Sequence, residues 1–178
     1  MAWAYLASMT VIMVANAVAS DVSLLVERSQ LQEGTQDWDV PLAIMVAILG
    51  PIATYLIAGL DMRFEWTSGI EQVRQVVALA LVWLGGGLGT WAMASNQYFS
   101  ATARIQAERD HQVVTLGPYR YVRHPGYLGG ILCALATPIA LGSWWALIPG
   151  VLAASGYVVR TVLEDRMLQE ELVGYRGY

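Results

Sequence analysis

Three apolar stretches of membrane-crossing length constrain this chain more than any other feature in it. Residues 2–26, 41–60 and 76–94 each approach or exceed the roughly 20 apolar residues that span a hydrocarbon core. The first is interrupted only by Asn16, Asp21 and small polar residues. Two shorter apolar runs, 127–141 and 144–159, follow, divided by "GSWW" at 142–145. Charged residues make up only 13% of the chain, about half the share of an ordinary soluble domain, and mean hydropathy is +0.47. The predicted fold is all-α and membrane-integral, with about five transmembrane helices, the last two forming a tight helical hairpin. We expect a single domain over 1–178, with three N-terminal spans in 1–94. A long loop, the hairpin and a C-terminal helix fill 95–178.

The connecting segments refine this outline. "ERSQLQEGTQDWD", 27–39, reads as a polar loop, and Gly50-Pro51 is expected to kink the second span. Phe64 and Trp66 suit a membrane interface, as do Trp144 and Trp145. "ANAVASD" has the A-x-A look of a signal-peptidase site. Residues 1–20 nevertheless lack Lys and Arg, and the apolar run resumes at "VSLLV", so a retained helix is expected. Arginines 104, 109, 120, 123, 160, 166 and 176, seven of the ten, lie in the 95–126 loop and the C-terminal segment. The positive-inside tendency then puts both on the cytoplasmic side and, with five spans, the N-terminus outside.

Several function classes fall away. A net charge of −4 and an absence of lysine leave no basic surface for nucleic acid. One cysteine, Cys133, permits no intramolecular disulfide and no multi-thiolate zinc site. His111 and His124 have no convincing third ligand and no H-E-x-x-H helix, so no metal is expected. "LGGGLG", 84–89, lies mid-span and reads as a helix-packing surface of small residues, not a nucleotide loop. A small transporter subunit would place ionisable residues inside several spans, whereas here the charges gather at one face.

Chemistry concentrates in two stretches. "GPYRYVRHPGYLGG", 117–130, packs two prolines, four glycines, three tyrosines and a histidine against the edge of an apolar run. Pro118 and Pro125 fix their own φ and bias Gly117 and His124 away from helix, so a fixed non-helical turn is expected there. Irregular backbone near membrane depth must be buried in protein or line a cavity. Tyr119, Tyr121, His124 and Tyr127 would give that cavity polar and aromatic walls. The second stretch is "RTVLED", 160–165, where Arg160 and Glu164 stand one turn apart on a helix face continued by Leu168 and Glu171. Taken alone, that pair reads as a surface ion pair. A hairpin starting at the first stretch returns the chain to the same leaflet, so Arg160 and Glu164 can face His124 and Tyr127.

"HQVVTLGPYRYVRHPGYLGG" followed by "RTVLEDRMLQEEL" and "YRGY" resembles the isoprenylcysteine carboxyl methyltransferase family, grouped with the phospholipid methyltransferases. "NQYFSATARIQAERDHQVV" and, less specifically, "GLDMRFEW" resemble bacterial members, which points to a bacterial inner membrane. The resemblance implies a membrane enzyme that uses S-adenosyl-L-methionine, with 95–178 as its catalytic part. It implies a lipophilic small-molecule or lipid-modified acceptor reached among membrane lipids. Carboxylate O-methylation of an isoprenylcysteine-like compound is favoured, with N-methylation of a lipid amine as the alternative. A non-catalytic scaffold of the same fold would bind no S-adenosylmethionine.

By the same resemblance, cofactor contacts are expected at His111, Gln112, Val113, Val114, Tyr119, His124, Pro125, Gly126, Tyr127 and Glu164, with Gln106 as a further contact. Arg160 is expected to face the acceptor carboxylate, and Arg160 and Tyr127 form the catalytic pair. Two departures stand out: Asp165 occupies a position where many members have a second Glu, and this sequence stops at Tyr178, where relatives usually continue with a basic, proline-containing tail. The residue chemistry agrees with these implications. A carboxylate can hold the cofactor's ammonium or ribose, imidazole and arginine its carboxylate, and tyrosine faces its sulfonium.

Overall fold

The computed structural model describes residues 1–18 and 34–178. Five apolar helices account for nearly all the regular structure: α1 (Ala2–Val18), α2 (Asp39–Phe64), α3 (Gln72–Ser95), α4 (Pro125–Ala140) and α5 (Leu147–Glu171). There is no strand among the described residues. α2, α3 and α5 are long and apolar enough to cross a membrane unaided; α1 and α4 are apolar but shorter. At 1.5 Å per residue, α4 covers about 24 Å, a little less than the ~30 Å hydrocarbon core. The chain is a multi-pass integral membrane protein, as its apolar runs predict. The rest of the first apolar run, with Asp21 and Ala19, lies outside the described residues.

α2 carries the irregularity expected at Gly50-Pro51. Pro51 has no amide hydrogen, and just before it the helix widens into a π-turn over Met45–Leu49, in which the Gly50 amide reaches the Met45 carbonyl five residues back.

α3 packs most extensively on α4, and the glycine-rich stretch of α3 explains how. A Cβ on Gly129 would sit 2.5 Å from the Gly85 carbonyl oxygen, and one on Gly85 would sit 2.7 Å from that of Gly129. The two backbones therefore touch, which only small residues permit. α4 and α5 form the expected antiparallel hairpin. Gly150 abuts Ala134, Gly130 abuts Tyr157, and Tyr127 bonds Glu164, with numbers rising on one helix as they fall on the other. Pro138 deprives the Ala134 carbonyl of its helical donor, and Gly150 lets α5 come up against that same oxygen.

Asp61, buried near the end of α2, ties the hairpin turn in place. It accepts the Thr67 amide at 2.7 Å, the Thr67 hydroxyl at 2.5 Å and the Ser143 hydroxyl at 2.5 Å. Phe64, Trp66 and Trp145 cluster there, with ring centroids 5.7 and 6.4 Å apart, as an interfacial aromatic group would. At the opposite end, residues 96–124 run as a loop with short 3₁₀ turns at Ala107–Arg109 and Gly117–Arg120. Together with the two ends of the hairpin, that loop builds the site.

Candidate cofactor cleft

The segment after Gly117 adopts the non-helical course that its prolines require. One 3₁₀ turn spans Gly117–Arg120, after which the chain stays irregular until α4 begins at Pro125. His124 precedes that first turn in a non-helical conformation, and its carbonyl accepts the Leu128 amide. Its ring lies parallel to that of Tyr127, 5.7 Å away, with planes 4° apart. The Tyr127 hydroxyl donates to Glu164 Oε2 in a short hydrogen bond. Two stretches about forty residues apart thus meet at one end of the hairpin.

Between them opens a cleft enclosing about 760 Å³ of space between atoms, part of it continuous with solvent. The 111–114 segment lines one side, with Tyr119, and the 124–127 turn another. Glu164 and Leu168 of α5, with Leu172 just beyond its end, supply the α5 wall. Glu171 shares the helix face of Glu164 but does not line the cleft, where Leu172 stands instead. Tyr98, Phe99, Ser100, Thr102 and Arg104 contribute from the loop, and Tyr175 and Tyr178 from the C-terminal turn.

The tyrosines of "YRGY" are built into the cleft through Asp165. The Tyr175 hydroxyl donates to Asp165 Oδ1 at 3.0 Å and lies 3.2 Å from His124 Nε2, from which it can accept. Arg123 Nη1 donates to the same carboxylate oxygen at 3.3 Å, and its guanidinium lies over the Tyr175 ring at 5.4 Å. Tyr178 donates to the Tyr119 carbonyl. Asp165 thereby clamps the first motif to the chain beyond α5. Burial and the nearby Asp165 carboxylate push the Tyr175 phenol well above its ordinary value, which keeps it a proton donor.

His111 is held in a single role. Its Nδ1 accepts the Gln106 backbone N–H at 3.3 Å, and its ring rests on Tyr98 at a centroid distance of 4.4 Å. Burial, followed by the charges of Arg104 and Arg109, holds its pKa below the usual histidine value. The ring is therefore neutral at pH 7, with its Nε2 hydrogen available as a donor.

Two expected site residues are placed differently. Gln106 is buried and does not line the cleft. Its amide nitrogen donates to the Tyr98 carbonyl at 2.7 Å and its oxygen accepts Arg109 Nη1 at 2.8 Å, so the side chain braces the loop instead of reaching a ligand. Arg160 is also buried and outside the lining. Its guanidinium sits 4.9 Å from the centroid of the Tyr127 ring. Its Nε and Nη2 form a bidentate pair with Asp39, at 2.7 and 2.9 Å. The forked edge expected to grip an acceptor is already engaged. Asp39 itself was not identifiable from sequence, where it reads as the last residue of a polar loop.

A second hollow, about 530 Å³ of space between atoms and partly open to the surroundings, lies among the helices. Tyr5 and Met9 of α1, Val46 and Thr54 of α2, Cys133 and Ala134 of α4, and Ala153 and Tyr157 of α5 border it. Tyr127 on the cleft side and Tyr157 on the bundle side pair their rings at 5.9 Å, so this pair stands between the two spaces.

A family model described as phospholipid methyltransferase matches residues 73–172. The chain belongs to the phospholipid methyltransferase family. The match runs from the start of α3 to Leu172 and so covers the 111–127 segment and the α5 wall, while Asp39, Tyr175 and Tyr178 lie beyond it.

Among curated proteins, the protein-S-isoprenylcysteine O-methyltransferase of Schizosaccharomyces pombe is 41% identical over 76 residues, 42% of this chain and 32% of the relative. That of Saccharomyces cerevisiae is 31% identical over 112 residues, 62% of this chain and 45% of the relative. A probable protein-S-isoprenylcysteine O-methyltransferase of Oryza sativa subsp. indica is 35% identical over 66 residues, 36% of this chain and 35% of the relative. The matched stretches thus span less than half the length of each of these family members.

The cleft fits the family's methyl donor on its own chemistry. Glu164 Oε1 makes no hydrogen bond to the described residues, leaving a carboxylate oxygen for an ammonium or a ribose hydroxyl. The His111 Nε2 hydrogen suits the donor's carboxylate, and the tyrosine faces suit its sulfonium.

Proposed function

We propose that this chain transfers a methyl group from S-adenosyl-L-methionine to a lipophilic acceptor, with the carboxylate of an isoprenylcysteine-like compound as the favoured acceptor. The observation that carries the reading is the meeting of the 111–127 segment with Glu164 around one cleft, with an uncommitted carboxylate oxygen inside it. His111, Tyr119, His124, Tyr127 and Glu164 would hold the donor, which supplies an electrophilic methyl on sulfur. A carboxylate acceptor is ionised at pH 7 and needs no base. The residues then contribute chiefly alignment, and a fixed near-attack geometry carries much of the barrier reduction in such displacements. The hollow inside the bundle, one ring pair from the cleft, supports an acceptor with a long apolar part that stays among the helices. The arginines around the cleft favour a cytoplasmic-facing site.

The family description favours one rival, methylation of a lipid amine. A single experiment separates the two. Purified protein is incubated with methyl-labelled S-adenosylmethionine and, in parallel, with N-acetyl-S-farnesylcysteine or with phosphatidylethanolamine vesicles. A product that releases labelled methanol in alkali is a methyl ester; an alkali-stable label in the lipid is an N-methyl group. No labelled product from either acceptor, by protein that binds the donor, contradicts the proposal.

A further inference from the structure

Asp39 is fully buried at the first turn of α2, at the same end of the bundle as the cleft. Its Oδ1 accepts Arg160 Nε at 2.7 Å; its Oδ2 accepts Arg160 Nη2 at 2.9 Å and the Ala103 amide at 2.7 Å. Arg160 Nη2 also donates to the Ala101 carbonyl at 2.9 Å. Nη1 makes no hydrogen bond to the described residues, and the side chain keeps about 5% of its surface exposed. The guanidinium is thus fixed against the Tyr127 ring with one nitrogen left over and most of its charge compensated.

We infer that Asp39 is a positioning residue that sets how an acceptor carboxylate meets Arg160: through Nη1 alone, and without a full ion pair. The inference rests on the proposed carboxylate acceptor and on the expectation, drawn from the family resemblance, that Arg160 faces it. In the transfer, an acceptor oxygen forms the new O–CH₃ bond while the S–CH₃ bond breaks and its electron pair stays on sulfur. A carboxylate and a sulfonium become a neutral ester and a neutral sulfide, with no proton moved. The acceptor's negative charge is being consumed as the transition state forms. An uncompensated guanidinium would therefore stabilise the bound acceptor more than the transition state, and tight binding would come at the expense of turnover. Asp39 removes that imbalance while keeping the donor in place.

Asp39→Asn keeps the shape and deletes the charge. With methyl-labelled S-adenosylmethionine and N-acetyl-S-farnesylcysteine, the acceptor KM and kcat should fall together, each by about tenfold, the scale of one hydrogen bond to a charged group. kcat/KM should be nearly unchanged, and so should the KM for the methyl donor. A purely structural Asp39 gives the opposite pattern: an acceptor KM that is unchanged or raised, with lower kcat/KM. That result, in a wild type that turns over, overturns the role of Asp39 alone. A wild type that binds the donor yet methylates no carboxylate acceptor overturns the functional reading and this inference with it. Should Asp39→Asn not fold, the wild type still decides. The acceptor and its carboxamide should inhibit within about tenfold of each other, and a larger preference for the carboxylate refutes compensation by Asp39.

Discussion

Replacing Glu164 by Gln is the sharpest perturbation of the cleft. The amide is isosteric, and its oxygen can still accept the Tyr127 hydroxyl, so the contact between α4 and α5 survives. What disappears is the negative charge on the one cleft carboxylate with an oxygen uncommitted within the described residues; the neighbouring Asp165 is engaged by Arg123, Gln169 and Tyr175. A hydrogen bond to a charged group contributes about 1.5–3 kcal/mol, which corresponds to about a 10- to 150-fold weaker S-adenosylmethionine affinity. Equilibrium dialysis of labelled donor against detergent-solubilised protein reads this directly, and a melting curve beside it reports whether the fold is kept. Wild-type affinity in a well-folded Glu164→Gln protein would refute the assignment of Glu164 to the donor.

Two further outcomes follow from the geometry. His111 has a folded pKa below its ordinary value, so between pH 6.5 and that lower value the unfolded chain binds a proton that the folded chain refuses. Stability should therefore fall as pH drops through this window, and His111→Gln should flatten that part of the wild-type profile in detergent melts. At Gly129, a methyl group would meet the Gly85 carbonyl at 2.5 Å. Gly129→Ala should cost about 1–3 kcal/mol, seen as a lower melting midpoint, with donor affinity changed far less than in Glu164→Gln.

The helices were legible because apolar length is a local signal. Each of the five apolar runs became a helix over its described residues, and Gly85 within the 84–89 stretch became the close crossing of α3 and α4. The cleft was legible because a hairpin returns its second arm to where its first began, so Tyr127 and Glu164 had to come near each other. Long-range pairings were not legible. Asp39 and Arg160 stand 121 residues apart, and nothing in "QDWD" distinguishes a buried acid from a solvated one. Gln106 carries the right chemistry for a ligand contact, but the turn at Ala107–Arg109 folds its amide back onto Tyr98 and Arg109. Glu171 lies only about 20° round the helix from Glu164, but it is Leu172 that lines the cleft, because α5 ends at Glu171 and Leu172 turns into an extended conformation.

The central claim is that residues 111–127 and the wall led by Glu164 together form a binding site for S-adenosylmethionine. The most direct test is titration of the purified wild-type protein with labelled donor, with S-adenosylhomocysteine as competitor. The account predicts saturable binding at one site per chain, displaced by the competitor and strongly weakened by His124→Ala as well as by Glu164→Gln. Absence of saturable binding by folded protein, or binding indifferent to both substitutions, would contradict it.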